Sequence, residues 1–381
     1  MKVSLIGPVY PYRGGISHFT SMLCKSLIDH QHSVLLISFT RQYPSWLYPG
    51  KTDLDPSPNS FNLETEYLLD PMDIRTWNRT FQRVMNFQPD VVILPWWTTF
   101  WAPAYTFLSH KFRRVGIPIS FLIHNVLPHE QKPWDRVLAK TALSQGAGFI
   151  VQTEHEANRL KDLIPGANMV ICSHPVYSMF SDTQLTKIDA KNLLGISPDQ
   201  KVLLFFGIVR PYKGLDTLIN ALAHLHAKGV KPYMIVAGEF WQDKSSLLNL
   251  IEDANIAKQI LIEDQYVVDQ EIPKYFSAAD IFVAPYRKGT QSGAVKLALG
   301  FRLPVVLSQT IADAAILELK NYPVYITPAN DPIELANSLE IALQDLEDGS
   351  KVPSRLEDDG WDELVKVIED MVIEFDHPDD Q

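Results

Sequence analysis

The 381-residue sequence has very little cysteine, only Cys24 and Cys172. Neither lies in a C-x-x-C pair or a Cys/His cluster, which excludes a disulfide framework and a thiolate metal site. Both are read as buried thiols of a reducing compartment. Long hydrophobic runs are missing as well. Met1 to Gly7 is too short for a secretory signal, and a charge-bearing helical pattern follows almost at once. The longest charge-free stretch, Val91 to His110, is interrupted by Pro95, Pro103 and the Thr98-Thr99 pair. It reads as strand, loop and helix start rather than as a membrane span. The expectation is a soluble, cytoplasmic protein. There is no Walker motif, H-E-x-x-H or G-x-S-x-G, and no basic stripe that would suit nucleic acid.

Positive charge is scarce in the second half. Residues 1–180 carry 16 Lys+Arg against 13 Asp+Glu, or +3, and residues 181–381 carry 18 against 32, or −14. The acidic surface keeps the protein soluble. The basic half would suit something anionic, such as a lipid phosphate, so peripheral contact with the inner face of a membrane through the N-terminal domain is an expectation.

What is present is a repeated alternation of short β-branched runs and helical patterns. Strands are expected at Lys2–Gly7, Ser33–Phe39, Val91–Leu94, Ile119–Ile123, Gly148–Gln152 and Met169–Cys172, with helices between them. After a linker over 173–200 the alternation restarts with Val202–Phe206 and runs to Pro304–Leu307. The fold class is α/β, with two Rossmann-like doubly wound parallel sheets facing a cleft. Ligands of such sheets bind beyond the C-terminal ends of the strands. The expected domains are 1–180 on the acceptor side, 181–355 for the donor, and 356–381 as a terminal helix with an acidic tail. That helix spaces Trp361, Leu364, Val365, Ile368, Met371 and Val372 on one face, and must dock on the body.

Five groups follow strands. Arg210 and Lys213, ahead of a helix near Gly214, suit a diphosphate, since the free N–H groups and the dipole add to the two cations. A solvated loop with incidental cations is the alternative. Thr290-Gln291-Ser292-Gly293-Ala294 opens the next such helix, where small residues let backbone N–H groups approach an anion. A plain capped turn would look the same. Gly14 and Gly15 close the loop after the first strand without the spacing of a dinucleotide fingerprint. His124, with Asn125 and the downstream His129-Glu130, could face a sugar hydroxyl or be structural. Trp96, Trp97 and Trp101 stand with Phe100 and Tyr105 as an aromatic cluster, which suits an acceptor sugar, a membrane interface or a core. Asp53-Leu54-Asp55 has a D-x-D form but sits in a Pro/Ser/Asn loop away from a strand end, so no metal site is assigned to it.

The strings Phe205-Phe206-Gly207 and Arg210-Pro211-Tyr212-Lys213-Gly214-Leu215 come with Tyr275-Phe276-Ser277-Ala278-Ala279-Asp280, Pro285-Tyr286 and Gln291-Ser292-Gly293. Together they resemble family 4 glycosyltransferases of the GT-B fold. Gly7-Pro8 through Gly14-Gly15, Ile123-His124-Asn125 and Trp361 match more loosely. The resemblance implies retaining transfer from a nucleotide diphosphate sugar, with no metal and no other cofactor. It assigns the diphosphate to Lys213 with the backbone of Ser292, Gly293 and Ala294. It places Gly15 beside the phosphates, His124 at the donor sugar and the base near Tyr266 and Val267. Two departures stand out. Ile208 occupies the usual arginine position, with Arg210 two residues on. Gly289 and Leu297 occupy the places of a glutamate pair, as in a branch with a Gln-Ser-Gly donor loop.

The reading is therefore a transferase acting on a sugar or lipid-linked acceptor or a polysaccharide precursor. A nucleotide-sugar epimerase or hydrolase, and a non-catalytic sugar- or nucleotide-binding protein, are the alternatives.

Overall fold

The structure is a computed structural model. It describes every residue except Ser45, Pro49, Lys51, Asn59, Ser60, His129, Thr183, Thr290, Gln291, Glu318, Lys320, Asn321, Arg355, Glu357, Asp358 and 377–381, and except the side chains of Ala314, Ala315 and Asp376. Two compact units result. The first is Met1–His174 with Gly360–Gln381, and the second is Pro175–Asp359.

In the first unit the chain runs β1 (Lys2–Ile6), α1 (Gly15–Asp29), β2 (Ser33–Phe39), β3 (Glu66–Leu69), α2 (Ile74–Phe87), β4 (Val91–Trp96), α3 (Ala102–Arg114), β5 (Ile119–Ile123), α4 (Asp135–Leu143), β6 (Gly148–Val151), α5 (Glu154–Leu163) and β7 (Met169–Ile171). The strands form one parallel sheet in the order β3-β2-β1-β4-β5-β6-β7. Runs such as Val91-Val92-Ile93-Leu94 are buried along their whole length, as expected of strands covered on both faces by helices.

The second unit runs α6 (Lys187–Leu193), β8 (Val202–Phe206), α7 (Leu215–Ala227), β9 (Tyr233–Ala237), α8 (Ser245–Asp253), β10 (Ile260–Glu263), α9 (Ile272–Ala278), β11 (Ile281–Ala284), α10 (Gly293–Gly300), β12 (Val305–Ser308), α11 (Ala314–Leu317), β13 (Val324–Thr327) and α12 (Pro332–Asp348). Its parallel sheet has the order β10-β9-β8-β11-β12-β13. The segment Pro304–Leu307 therefore does not complete this sheet. β13 pairs outside β12, and α12 packs on α7.

The terminal helix α13 (Trp361–Asp376) belongs to the first unit, as its apolar stripe requires. Trp361 packs against Phe19 of α1, with ring centroids 5.1 Å apart. Leu364, Val365, Ile368 and Met371 are buried beside it. Among the described residues no helix is long and apolar enough to cross a membrane.

Asp280, at the end of the Tyr275–Asp280 string, has a structural role. Its carboxylate accepts from Lys187 Nζ at 2.8 Å, from Lys191 Nζ at 3.1 Å and from the Val202 N–H at 2.9 Å. It thus ties α6 to the starts of β8 and β11. Burial alone would raise its pKa, but the two ammonium groups and the N–H outweigh that and hold it below 3.8. Asp280→Asn leaves the buried Lys191 ammonium without a counter-charge. We expect it to cost about 3 kcal/mol in urea unfolding at neutral pH. Because the folded-state pKa is depressed, the carboxylate's share of stability is present above 3.8 and fades as the pH falls below it. The stability gap between wild type and variant should narrow in acid.

Candidate active site

The strand order fixes where a ligand can bind. In the second unit the chain winds outward from β8 to β9 and β10, then returns to the other side of β8 with β11. The crevice beyond the C-terminal ends of β8 and β11 is therefore the topological switch point. The loop after β8 is 207–214 and the loop after β11 is 285–292, and these hold the two anion-suited groups.

These loops touch. The Pro211–Lys213 turn is one 3-10 turn, and Gly214 follows it with φ +69° before α7 begins. A Cβ at Gly214 would lie 2.2 Å from the Pro285 carbonyl oxygen, so only glycine permits this approach. Arg287 then staples the loops together. Its backbone N–H donates to the Tyr212 carbonyl at 2.7 Å, and Nη1 to the Pro211 carbonyl at 3.1 Å. Nη2 reaches Asp216 Oδ2 at 2.5 Å and Thr217 Oγ1 at 3.2 Å at the start of α7. Nε donates to Asn330 Oδ1 at 2.8 Å. The string that carries the resemblance ends at Pro285-Tyr286, one residue short of Arg287. The next residue was the available signal, but its partners span 211 to 330 and no local pattern shows them.

The staple aims Lys213. Its Nζ lies 5.2 Å from the centroid of the buried Tyr286 ring and 3.0 Å from where a Cβ on Gly207 would stand. Arg210 is half-buried, with its guanidinium 4.5 Å from the Trp241 ring centroid. Among the described residues, neither cation has a carboxylate within ion-pair distance. Burial, and secondarily the Arg210 charge, push the Lys213 pKa below 10.5 despite the opposing effect of Tyr212. An anion placed here would relieve both causes.

The second element of this crevice is the start of α10. Ser292 is the N-cap in extended conformation, and its side chain makes no capping bond. Its Oγ turns instead to the Tyr286 hydroxyl at 3.4 Å. The backbone carbonyl of Ser292 accepts from Val295 and Lys296. The N–H groups of Gly293 and Ala294 have no acceptor among the described residues, as the first turn of a helix leaves them. Ser308 Oγ and Thr310 Oγ1 both donate to the Tyr286 carbonyl, at 2.5 and 2.6 Å. Tyr286 therefore links Lys213, Ser292 and the loop after β12. Thr290 and Gln291 lie outside the described residues.

The places of the expected glutamate pair are apolar. Gly289 has φ +148°, and a Cβ on it would meet Ile311 Cγ2 at 2.8 Å. Leu297 is only 9% exposed. One residue before it, Lys296 is buried and pairs with Asp313 at 3.4 Å, a pair that no local pattern announces. Tyr266 and Val267 follow β10, the edge strand, two strands away from the switch point.

The first unit has its own switch point between β1 and β4. Gly14, with φ +113°, caps α1 in the loop after β1, and Gly15 opens that helix. Asp53 and Asp55 serve this loop. The Asp53 carbonyl accepts from Arg13, and the Asp55 N–H donates to the Pro11 carbonyl, so the D-x-D string is a brace. His124 directly follows β5 and is 2% exposed, with the Phe19 ring edge-on at 4.7 Å. Burial pushes its pKa down to about 3 against a raising hydrogen bond to Gln152. The imidazole is therefore uncharged at neutral pH, with one ring N–H to donate and one ring nitrogen to accept. His129 lies outside the described residues.

The tryptophan cluster divides. Trp96 and Trp101 are fully buried. Trp101 stacks on Phe39 at 4.0 Å, and Trp96 Nε1 donates to the Val126 carbonyl at 3.2 Å. Neither has a face for an acceptor sugar, and the correction is that both are core. Trp97, just beyond the end of β4, is half-exposed, with its Nε1 donating to the Tyr43 hydroxyl at 2.9 Å.

Two family models match the chain. One is described as Glycosyltransferase Family 4 and covers residues 13–176, and the other as Glycosyl transferases group 1 and covers 200–345. A GDP-mannose:glycolipid 4-beta-D-mannosyltransferase of Xanthomonas campestris pv. campestris is 26% identical over 55% of this chain and 56% of that protein. A D-inositol 3-phosphate glycosyltransferase of Catenulispora acidiphila is 29% identical over 47% of each. The chain thus matches only about half the length of these curated relatives. Among solved structures, HepE of Anabaena in complex with UDP-glucose aligns at TM-score 0.69 and 14% identity, over 99% of this chain and 98% of that one. Sucrose-phosphate synthase of Thermosynechococcus elongatus aligns at 0.68 and 15%, with the same coverage. With two parallel-sheet Rossmann-like units and both family models on one chain, this protein belongs to the family 4 glycosyltransferases of the GT-B fold.

Proposed function

We propose that the chain transfers a sugar from a nucleotide diphosphate sugar to a cytoplasmic acceptor, a lipid-linked sugar or polysaccharide precursor. The carrying observation is the convergence of two carboxylate-free cations, Arg210 and Lys213, with the open N–H groups of Gly293 and Ala294. Two positive charges and about half a unit from the α10 dipole balance a diphosphate of about two negative charges. The same groups stabilise the charge that develops on the leaving phosphate as the glycosidic bond breaks. That is why no metal is invoked, and why no enzyme nucleophile is required. The leaving phosphate oxygen can take the acceptor's proton on the same face, which retains configuration.

The relatives support the substrate class, since the Xanthomonas protein's name gives it a nucleotide-sugar donor and a glycolipid acceptor. That name also specifies a β product, which from an α-linked donor requires inversion. The anomeric configuration of the product, read by NMR, therefore decides between the two stereochemical courses. Retention predicts the donor's configuration in the product, and the opposite anomer would end the same-face mechanism. The roles of Gly14, Gly15 and His124 in the first unit stand as proposals, with His124 as a neutral hydrogen-bonding group. Base contact by Tyr266 and Val267 stands likewise.

Lys213→Ala and Arg210→Ala should each weaken nucleoside diphosphate binding by about ten- to hundredfold, the worth of a charge-assisted hydrogen bond. Calorimetric titration checks this, and unchanged affinity in both variants would remove the diphosphate assignment. The depressed Lys213 pKa adds a sign. Its charge is lost at lower pH than that of an ordinary lysine, so affinity should fall as the pH rises below 10.5. Lys213→Arg, which stays charged, should flatten that decline. A profile identical in both proteins would show that Lys213 does not bear the bound anion.

A further inference from the structure

We propose that Trp241 is a positioning residue for the donor diphosphate, holding Arg210 at the crevice by ring contact instead of by a counter-charge. This inference rests on the role proposed above for Arg210. The chain segments leaving β8 and β9 do not part at the strand ends. A Cβ on Gly238 would lie 2.2 Å from the Gly207 carbonyl oxygen, so only glycine fits where they cross. Pairing then resumes. Val209 and Phe240 form a parallel bridge. The Val209 N–H donates to the Glu239 carbonyl at 2.9 Å, and the Trp241 N–H donates to the Val209 carbonyl at 3.0 Å. On the other side the Phe240 N–H donates to Asp264 Oδ1 at 3.0 Å, just past β10. Trp241 therefore stands on a short extension of the sheet.

The extension also accounts for an arginine at 210 beside an isoleucine at 208. Side chains of an extended segment alternate, so residues two apart share a face. Val209 is fully buried, and Arg210 is extended, with φ −132° and ψ 156°. Ile208 and Arg210 thus lie on the face opposite Val209. Moving the cation from 208 to 210 keeps that face and carries it about 6.6 Å along the chain. Trp241 is what meets it there. The guanidinium carbon lies over the indole, 4.5 Å from the ring centroid, and both side chains are half-buried.

A carboxylate at this place would also hold the guanidinium, but it would cancel the charge that a phosphate has to meet. An aromatic face attracts the cation without neutralising it, and leaves its N–H groups to donate elsewhere. Lys244, on the same loop, shows the contrast. Its ammonium lies 6.0 Å from the Phe240 ring centroid but pairs with Asp264 at 2.7 Å, so its charge is compensated. Among the described residues Arg210 has no such carboxylate. Fixing a long side chain before the ligand arrives removes an ordering cost that would otherwise weaken binding by about two- to tenfold.

The test is calorimetric titration of the full chain with the tightest binder among UDP, GDP and ADP. Trp241→Ala should weaken affinity about two- to tenfold. Trp241→Phe, which keeps an aromatic face, should recover most of that loss. The deciding readout is the double variant, since a merely structural tryptophan would matter equally with or without the arginine. In an Arg210→Ala background, Trp241→Ala should cost nothing further, because the side chain it positions is gone. Binding of none of the three nucleotides, or wild-type affinity in Arg210→Ala, would remove the reading of Arg210 and this inference with it. Three results would overturn the inference alone, with Arg210→Ala still weakened. They are wild-type affinity in Trp241→Ala, no recovery in Trp241→Phe, and a Trp241→Ala penalty that persists without Arg210.

Discussion

The contact between the loops after β8 and β11 is the constraint on which the candidate site depends. Gly214 lets the turn carrying Lys213 pass against the Pro285 carbonyl, and Arg287 fixes it there through Tyr212, Pro211, Asp216 and Thr217. Without that approach, Lys213 would sit on a free loop and the start of α10 would be a separate feature. With it, the turn carrying Lys213 and the start of α10 become neighbours across one side chain. Tyr286 joins them physically, with its ring beneath Lys213 and its hydroxyl beside Ser292.

The second unit treats its cations in two ways. Where a lysine is structural, it is compensated. Lys191 faces Asp280 at 3.1 Å, and Lys296 faces Asp313 at 3.4 Å. At the switch point Arg210 and Lys213 face aromatic rings instead. Among the described residues Lys213 has no carboxylate partner, and burial without one is unfavourable to its charged form, which pushes its pKa down. Function explains keeping such an arrangement more readily than stability does, because a phosphate supplies the missing charge.

Much of this was legible in the sequence because buried parallel strands write themselves as unbroken apolar runs. Val202–Phe206 and Ile119–Ile123 are found where they are expected. β3 and β13 were missed. Glu66-Tyr67-Leu68-Leu69 and Val324-Tyr325-Ile326-Thr327 lie at sheet edges, where half-exposed residues dilute the signal. The chemistry at Arg210, Lys213, Ser292 and Gly293 was legible because each follows a strand and precedes a helix. Arg287 and the Lys296–Asp313 pair were not, since their meaning lies in partners distant along the chain. The tryptophan run shows the opposite failure. Its composition suggested a surface, and packing against Phe39 and Tyr105 made Trp96 and Trp101 core.

The most direct measurement is a crystal structure of the full chain with a nucleoside diphosphate bound. The account predicts phosphate oxygens within about 3 Å of Lys213 Nζ and of the Gly293 or Ala294 N–H, with Arg287 still stapling the 211–213 turn. A diphosphate seated elsewhere, with Lys213 and the start of α10 left in water, would contradict it.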